Sequence, residues 1–301
     1  MALTQNSSFN ISEDETLLNE DEAAQLADEL KTQLRRGDTP ESDAEHIQRM
    51  VAGLGDRRGL LRRTFAESLG HVGKAAVPAL RKALQHHSSP TVRRAAAKTL
   101  KLVGDPSTLP DLLEALLNDP DPVVQGSSAG AMAIFGADAV DLLLEVLINP
   151  KSTAMQCGLA SWALAFVGAE APESLRKAAQ SPHAEIRAAA IAALGDQIQS
   201  LGDEDARALL LEALADPASD VRAEASTLLG KLNEPNWAEP MLLKRLEDLH
   251  PQVRKNAALS LMKLKAIGSV NALETRESLE EDPSVRTILR LAINQLNKNE
   301  D

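Results

Sequence analysis

Apolar and small residues recur along this chain in one repeating frame. Leu61-Arg62, Val92-Arg93, Val124-Gln125, Met155-Gln156, Ile186-Arg187, Val221-Arg222, Val253-Arg254 and Val285-Arg286 each open such a segment. Small or apolar residues follow four, seven and eight positions later, as in Val221, Ala225, Leu228 and Leu229. That spacing gathers them on one face of a helix, so each anchored segment is predicted to be helical with one buried stripe. From anchor to anchor the intervals are 31, 32, 31, 31, 35, 32 and 32 residues. A supersecondary unit has therefore been copied about eight times in tandem.

Proline precedes the anchors at positions 90, 122, 150, 182, 217, 251 and 283, usually behind Ser, Asp, Asn or His, which is turn chemistry ahead of a helix start. A second apolar-periodic segment fills each interval: 77–85, 109–117, 140–148, 171–179, 206–215, 240–249 and 270–279. Several carry proline in the first turn (Pro78, Pro110, Pro172, Pro240), where its missing amide proton is harmless. The unit is thus an antiparallel helix pair, and the expected fold is all-α: one continuous solenoid over residues 54–298. Residues 21–53 are expected to form an N-terminal helical cap, with Leu26, Leu30 and Leu34 in helical spacing, a stop at Gly37 and a capping box at Ser42 and Glu45. Residues 1–20, polar and acidic, are expected to be a disordered tail.

Written D-P-x-V-R-x-x-A-x-x-x-L-G, the unit resembles the short HEAT-like repeat of the phycobilisome-lyase type, over roughly residues 54–298. The resemblance implies a cyanobacterial protein that attaches, isomerises or removes a bilin such as phycocyanobilin on a phycobiliprotein. In that reading the bilin is a substrate, no cofactor is bound permanently, and a second HEAT-repeat subunit can complete the unit. The first repeat departs from the aromatic-rich stretch of the phycocyanobilin lyase subunits, since Phe65 is the one aromatic between Leu60 and Gly70. Another implication of the family is a non-catalytic scaffold that grips a partner, for example an A-type iron–sulfur carrier.

Composition narrows these classes. The net charge is −12, and residues 1–45 account for −9 of it. Without a basic stripe, with six scattered aromatics and no tyrosine, the chain has neither the electrostatic footprint nor the stacking platforms of a nucleic-acid binder. One cysteine, Cys157, excludes an internal disulfide and a Cys-rich metal site, and fits a reducing, cytoplasmic compartment. Residues 1–11 lack the basic and apolar blocks of a leader, and no apolar run is long enough to span a membrane. The six histidines show no metal-ligand spacing, and the absence of a His-Glu dipeptide argues against the di-iron deoxyhypusine hydroxylases. Nucleophile elbow, P-loop and zincin motifs are missing, so no catalytic residue is assigned.

The third and fourth repeats break the frame. Gln125 and Gln156 stand where arginine is the rule, and Gly126, Gly130 and Gly158 lie inside predicted helices, each at a cost of about 1 kcal/mol relative to Ala. Close approach of another backbone or of a ligand would account for them. Met155, Leu159, Trp162 and Phe166 have the spacing of a core stripe and are expected to pack inside, while Cys157 faces either the packing or the groove. For the arginines after the anchors, the structural reading is a ladder tied to turn carboxylates such as Asp119, Asp121, Asp216, Asp220 and Asp282; the functional reading is a row facing propionates or an acidic partner. Arg62, Arg63, Arg93, Arg94, Gln125, Gln156, Cys157 and Trp162 are the candidate groove residues, and Met132, Phe135 and Trp162 the candidate partner-binding cluster.

Overall fold

The computed structural model describes residues 18–298, so most of the expected acidic tail, including the stretch 1–11 read for a leader, lies outside the described residues. Every regular element among the described residues is helical, as the pairing of apolar stripes predicts, and the fold is an α-solenoid.

The chain divides into two compact units. The first runs to Leu142 and takes in Ser152–Ala163; the second comprises Leu143–Lys151 and the chain from Leu164 onward. In the first unit, α1 (Glu20–Arg36) and α2 (Ala44–Gly53) both pack on the helix that follows them, Gly59–Val72. The cap of α1 is Asn19, whose side chain accepts from the amides of Asp21 and Glu22 while Glu22 reaches back to the Asn19 amide. At α2 the cap is Asp43 and not Ser42, because the Asp43 carboxylate accepts from the Glu45 and His46 amides. Then follow α3 (Gly59–Val72), α4 (Val77–His86), α5 (Pro90–Val103), α6 (Leu109–Asn118) and α7 (Pro122–Met132). The anchored helices α3, α5 and α7 pack on one another as one layer, with α4 and α6 as the second layer beside them. Leu69, Leu80, Leu100, Leu112 and Met132 close the core between the layers.

Helices α8 (Ala137–Ile148) and α9 (Ala154–Val167) each contribute to both units. The second unit continues with α10 (Pro172–Ala178), α11 (Ala184–Ala193), α12 (Gly195–Leu201), α13 (Glu204–Ala213), α14 (Ser219–Leu229), α15 (Pro235–Arg245), α16 (Pro251–Lys263), α17 (Val270–Leu279) and α18 (Pro283–Asn297). Here α11, α14, α16 and α18 form the anchored layer. The short helix α12 fills the one interval of 35 residues, which the two-helix reading left unexplained. Helix α15 begins at Pro235 and carries Pro240 in its interior, not in its first turn as the sequence suggests. Pro235 already supplies the favourable first-turn proline, and Pro240 forfeits one hydrogen bond to the preceding turn.

The leucine-glycine close of the repeat has a packing role as well as a stop role. Gly104 has φ +68° and ends α5, as expected. Gly230 instead stays helical in φ, and a Cβ there would lie 2.4 Å from the Ser260 hydroxyl oxygen. Neighbouring anchored helices approach too closely at that point for any side chain.

Candidate functional site

The arginines after the anchors are consumed by the fold. Arg93, 3% exposed, donates to both carboxylate oxygens of Asp119 at 2.7 and 3.0 Å, and also to the carbonyls of His87 and Ser88 in its own turn. Arg187 with Asp216, Arg222 with Asp248 and Arg254 with Glu280 repeat this arrangement, each with two carbonyls of the preceding turn. The acid in turn accepts an amide of its own turn, as Asp119 does from Asp121 at 2.8 Å and Glu280 from Asp282 at 3.0 Å. Each rung therefore ties two successive turns with bidentate, charge-assisted bonds. The Arg254 guanidinium holds the Glu280 carboxyl far below the ordinary glutamate range, at about 2, and Arg187 likewise lowers Asp216. Of the turn acids expected in the ladder, Asp119 and Asp216 serve it, whereas Asp121 and Asp282 are N-caps.

The rungs stop in matched pairs. Gln125 and Gln156 replace arginine, and the following turns, Asn149–Lys151 and Ser181–Pro182, hold no carboxylate to meet one. Both glutamines are buried and bond backbone instead: Gln125 donates to the Asp119 carbonyl at 2.7 Å, Gln156 to the Leu117 carbonyl at 2.7 Å. Arg62 donates to the carbonyls of Asp56 and Arg57. Arg63 is exposed but paired with Glu67 at 2.6 Å on its own helix. Arg93, Gln125 and Gln156 are therefore internal ties and not groove residues, because buried polar groups at these positions must satisfy their own turns.

What lies on the open face of the anchored layer in the first unit is different. A groove of about 570 Å³ is lined by Lys98, Lys101 and Leu102 of α5, by Val123, Gly126, Ser127, Gly130 and Ala131 of α7, and by Trp162 of α9. Helix α9 is turned so that Met155 and Trp162 are 48% and 47% exposed and Phe166 is exposed too, contrary to the expected core stripe. Ala160, Ala163, Leu164 and Val167 take the buried side. A helix of the sequence AMQCGLASWALAFV is apolar all round, so periodicity cannot choose its inner face. The Trp162 ring edge would lie 3.3 Å from a Cβ at Gly130, and Leu159 would lie 3.5 Å from one at Gly126, so two of the three helical glycines admit α9 side chains. Gly158 faces open space. Cys157 is half-buried on the same helix. Met132 is fully buried, so it forms no patch with Phe135 and Trp162.

Charge at the groove comes from α5. Arg94, Lys98 and Lys101, spaced i, i+4 and i+7, share one face of it, and α7 and α9 contain no charged residue. Burial, then Arg94 and Lys101, hold the Lys98 ammonium below the ordinary lysine range. Lys98 and Lys101 escape a reading fixed on the arginine motif. The signal that finds them is an acid-free helix, PTVRRAAAKTLKLV, beside two charge-free ones in an acidic chain.

Two other places were candidates on chemistry alone. Glu41, Asp43 and His46 come within metal-binding range despite the unpromising sequence spacing, but they are exposed or nearly so, and the two His46 ring nitrogens already meet Asp43 and Glu41 at 2.6 and 3.0 Å. A cavity of about 550 Å³ beside the turns at Asp56 and Ser88 has Glu20, Asp56, Arg57 and Arg58 among its walls, with Asp56 and Arg58 paired at 2.7 Å. No helix among the described residues is long and apolar enough to cross a membrane.

The family of HEAT repeats matches residues 47–133, 140–230 and 208–294. The chain is 47% identical over 282 residues to the bilin biosynthesis protein MpeU of Synechococcus sp. (strain WH8020), covering 94% of this chain and 95% of that one. It is 37% identical over 133 residues to the uncharacterized phycocyanin operon protein Z of Pseudanabaena tenuis, covering 42% of this chain and 65% of that one. Among solved structures, importin beta aligns with a TM-score of 0.53 at 14% identity, over 94% of this chain and 44% of that one, a likeness of fold alone.

Proposed function

The chain belongs to the HEAT-repeat family, in its phycobilisome-lyase-type branch, and from that premise we propose that it handles a bilin during the maturation of a phycobiliprotein, using the groove between α5, α7 and α9. The observation that carries the reading is the pairing of an open aromatic, Trp162, with an apolar, glycine-floored wall and a row of cations. A flat, apolar tetrapyrrole needs such walls, and the volume falls in the range of small-molecule sites. The chain's contribution is orientation: a bilin held on the groove presents one edge to the cysteine thiol of an acceptor protein, so that addition proceeds between positioned partners. The 47% identical relative, a bilin biosynthesis protein, supports bilin chemistry, and no relative named above supports the iron–sulfur carrier.

The test is a titration with phycocyanobilin followed by visible absorption, on the wild type and on Trp162→Ala. The reading expects a saturable shifted band that weakens about tenfold or more in the variant, as loss of an aromatic anchor does. Trp237, whose ring lies 4.8 Å from the Arg207 guanidinium in the second unit, supplies the control Trp237→Phe, for which the band stays. A band indifferent to Trp162→Ala refutes the assignment to this groove.

A further inference from the structure

We propose that Lys98 and Lys101 form a carboxylate clamp, so that the groove selects a bilin in its free-acid form and turns its propionate edge toward α5. The inference rests on the bilin reading above and adds the polar half of the recognition. Three observations carry it. First, the two lysines line the same groove as Trp162, on the opposite side of the α7 floor. Second, they are without a carboxylate. Arg93, Arg187, Arg222 and Arg254 are each spent on an acid, and even exposed Arg63 has Glu67. The side chains of Arg94, Lys98 and Lys101 have no ion pair or hydrogen bond among the described residues, and Lys98 and Lys101 are the charged residues that line the groove. Third, the other walls cannot compensate them, since α7 and α9 carry no charge.

Three like charges on one helix face repel one another, and partial burial, with that repulsion second, already disfavours the charged form of Lys98. A bilin carries two propionate side chains on its neighbouring central rings and an otherwise apolar conjugated body. With its rings against Trp162, Leu102 and Val123, its carboxylates meet the one edge of the groove where positive charge stands uncompensated. The apolar walls raise the weight of those bonds by excluding water. Because the cations stand on one side only, the clamp also fixes which edge of the pigment faces α5, which narrows the poses open to an attachment reaction.

The test compares phycocyanobilin with its dimethyl ester on the full chain, by the same absorption titration. The wild type is expected to bind the diacid at least about tenfold tighter than the ester, the difference shrinking with added salt. In Lys98→Gln/Lys101→Gln the diacid should fall to the affinity of the ester, and in Lys98→Arg/Lys101→Arg the preference should persist. Both positions are on the surface, and unchanged thermal melts confirm folding. Equal binding of diacid and ester by the wild type, or a preference that survives in the double glutamine variant, overturns the clamp while the bilin groove stands. Failure of both pigments to bind overturns the groove reading and the clamp with it.

Discussion

Removing one arm of a buried rung is expected to cost far more than removing an exposed pair. In the wild type the side chains of Arg93 and Asp119 are each 4% exposed and joined by two bonds, with the guanidinium also holding two carbonyls of its own turn. Arg93→Met leaves the Asp119 carboxylate buried with one amide partner, which costs about 3–5 kcal/mol. Against the 5–15 kcal/mol typical of folded domains, that is a large fraction. Arg63→Gln, which breaks an exposed pair, should cost about 1 kcal/mol or less. The chain also contains its own relieved version of the rung. Gln125 donates to the Asp119 carbonyl with no acid opposite. Arg93→Gln with Asp119→Asn imitates it, and the double variant should cost less than the two singles together by about 2 kcal/mol or more. Urea unfolding followed by far-ultraviolet circular dichroism measures the wild type and each of these variants, with the two single variants of the cycle. An Arg93→Met cost below about 1 kcal/mol, or strict additivity in the cycle, refutes the ladder as a coupled element.

Other outcomes follow from single residues. Glu280 is fully buried and held at about 2 against an ordinary 4.5. Its folded pKa is depressed, so its contribution is complete above pH 4.5 and is lost as pH falls toward about 2. Urea midpoints measured across that window should fall less steeply in Glu280→Gln than in the wild type; equal slopes contradict the assignment. Gly230→Ala places a methyl group 2.4 Å from the Ser260 hydroxyl oxygen and should destabilise by about 1–3 kcal/mol. Gly158→Ala meets nothing within 4 Å inside a helix and should stabilise by up to about 1 kcal/mol, so thermal melts of the two variants must move in opposite directions.

The repeat was legible because its period is enforced twice, by the apolar stripe and by the proline turn. Where both signals coincide, as at Pro90 with Val92 or Pro283 with Val285, the helix starts match the sequence reading. The ladder was legible as well, and its interruption could have been, since arginine and acid disappear together at Gln125 and Gln156. What escaped was rotational. Helix α9 has apolar residues on every side, so the sequence cannot tell that Ala160 and Ala163 turn inward while Met155 and Trp162 turn out. Arg93 and Arg94 show the same limit from the polar side: adjacent cations with opposite fates, one buried in a rung and one exposed, separated by a single helical step. The groove emerges only when α5, α7 and α9 are laid side by side.

A crystal structure of the chain with phycocyanobilin bound tests the central claim most directly. The account predicts pigment density over α7 between α5 and α9, its rings against Trp162 and its carboxylates toward Lys98 and Lys101. Pigment density at any other surface, with Trp162 untouched, would contradict it.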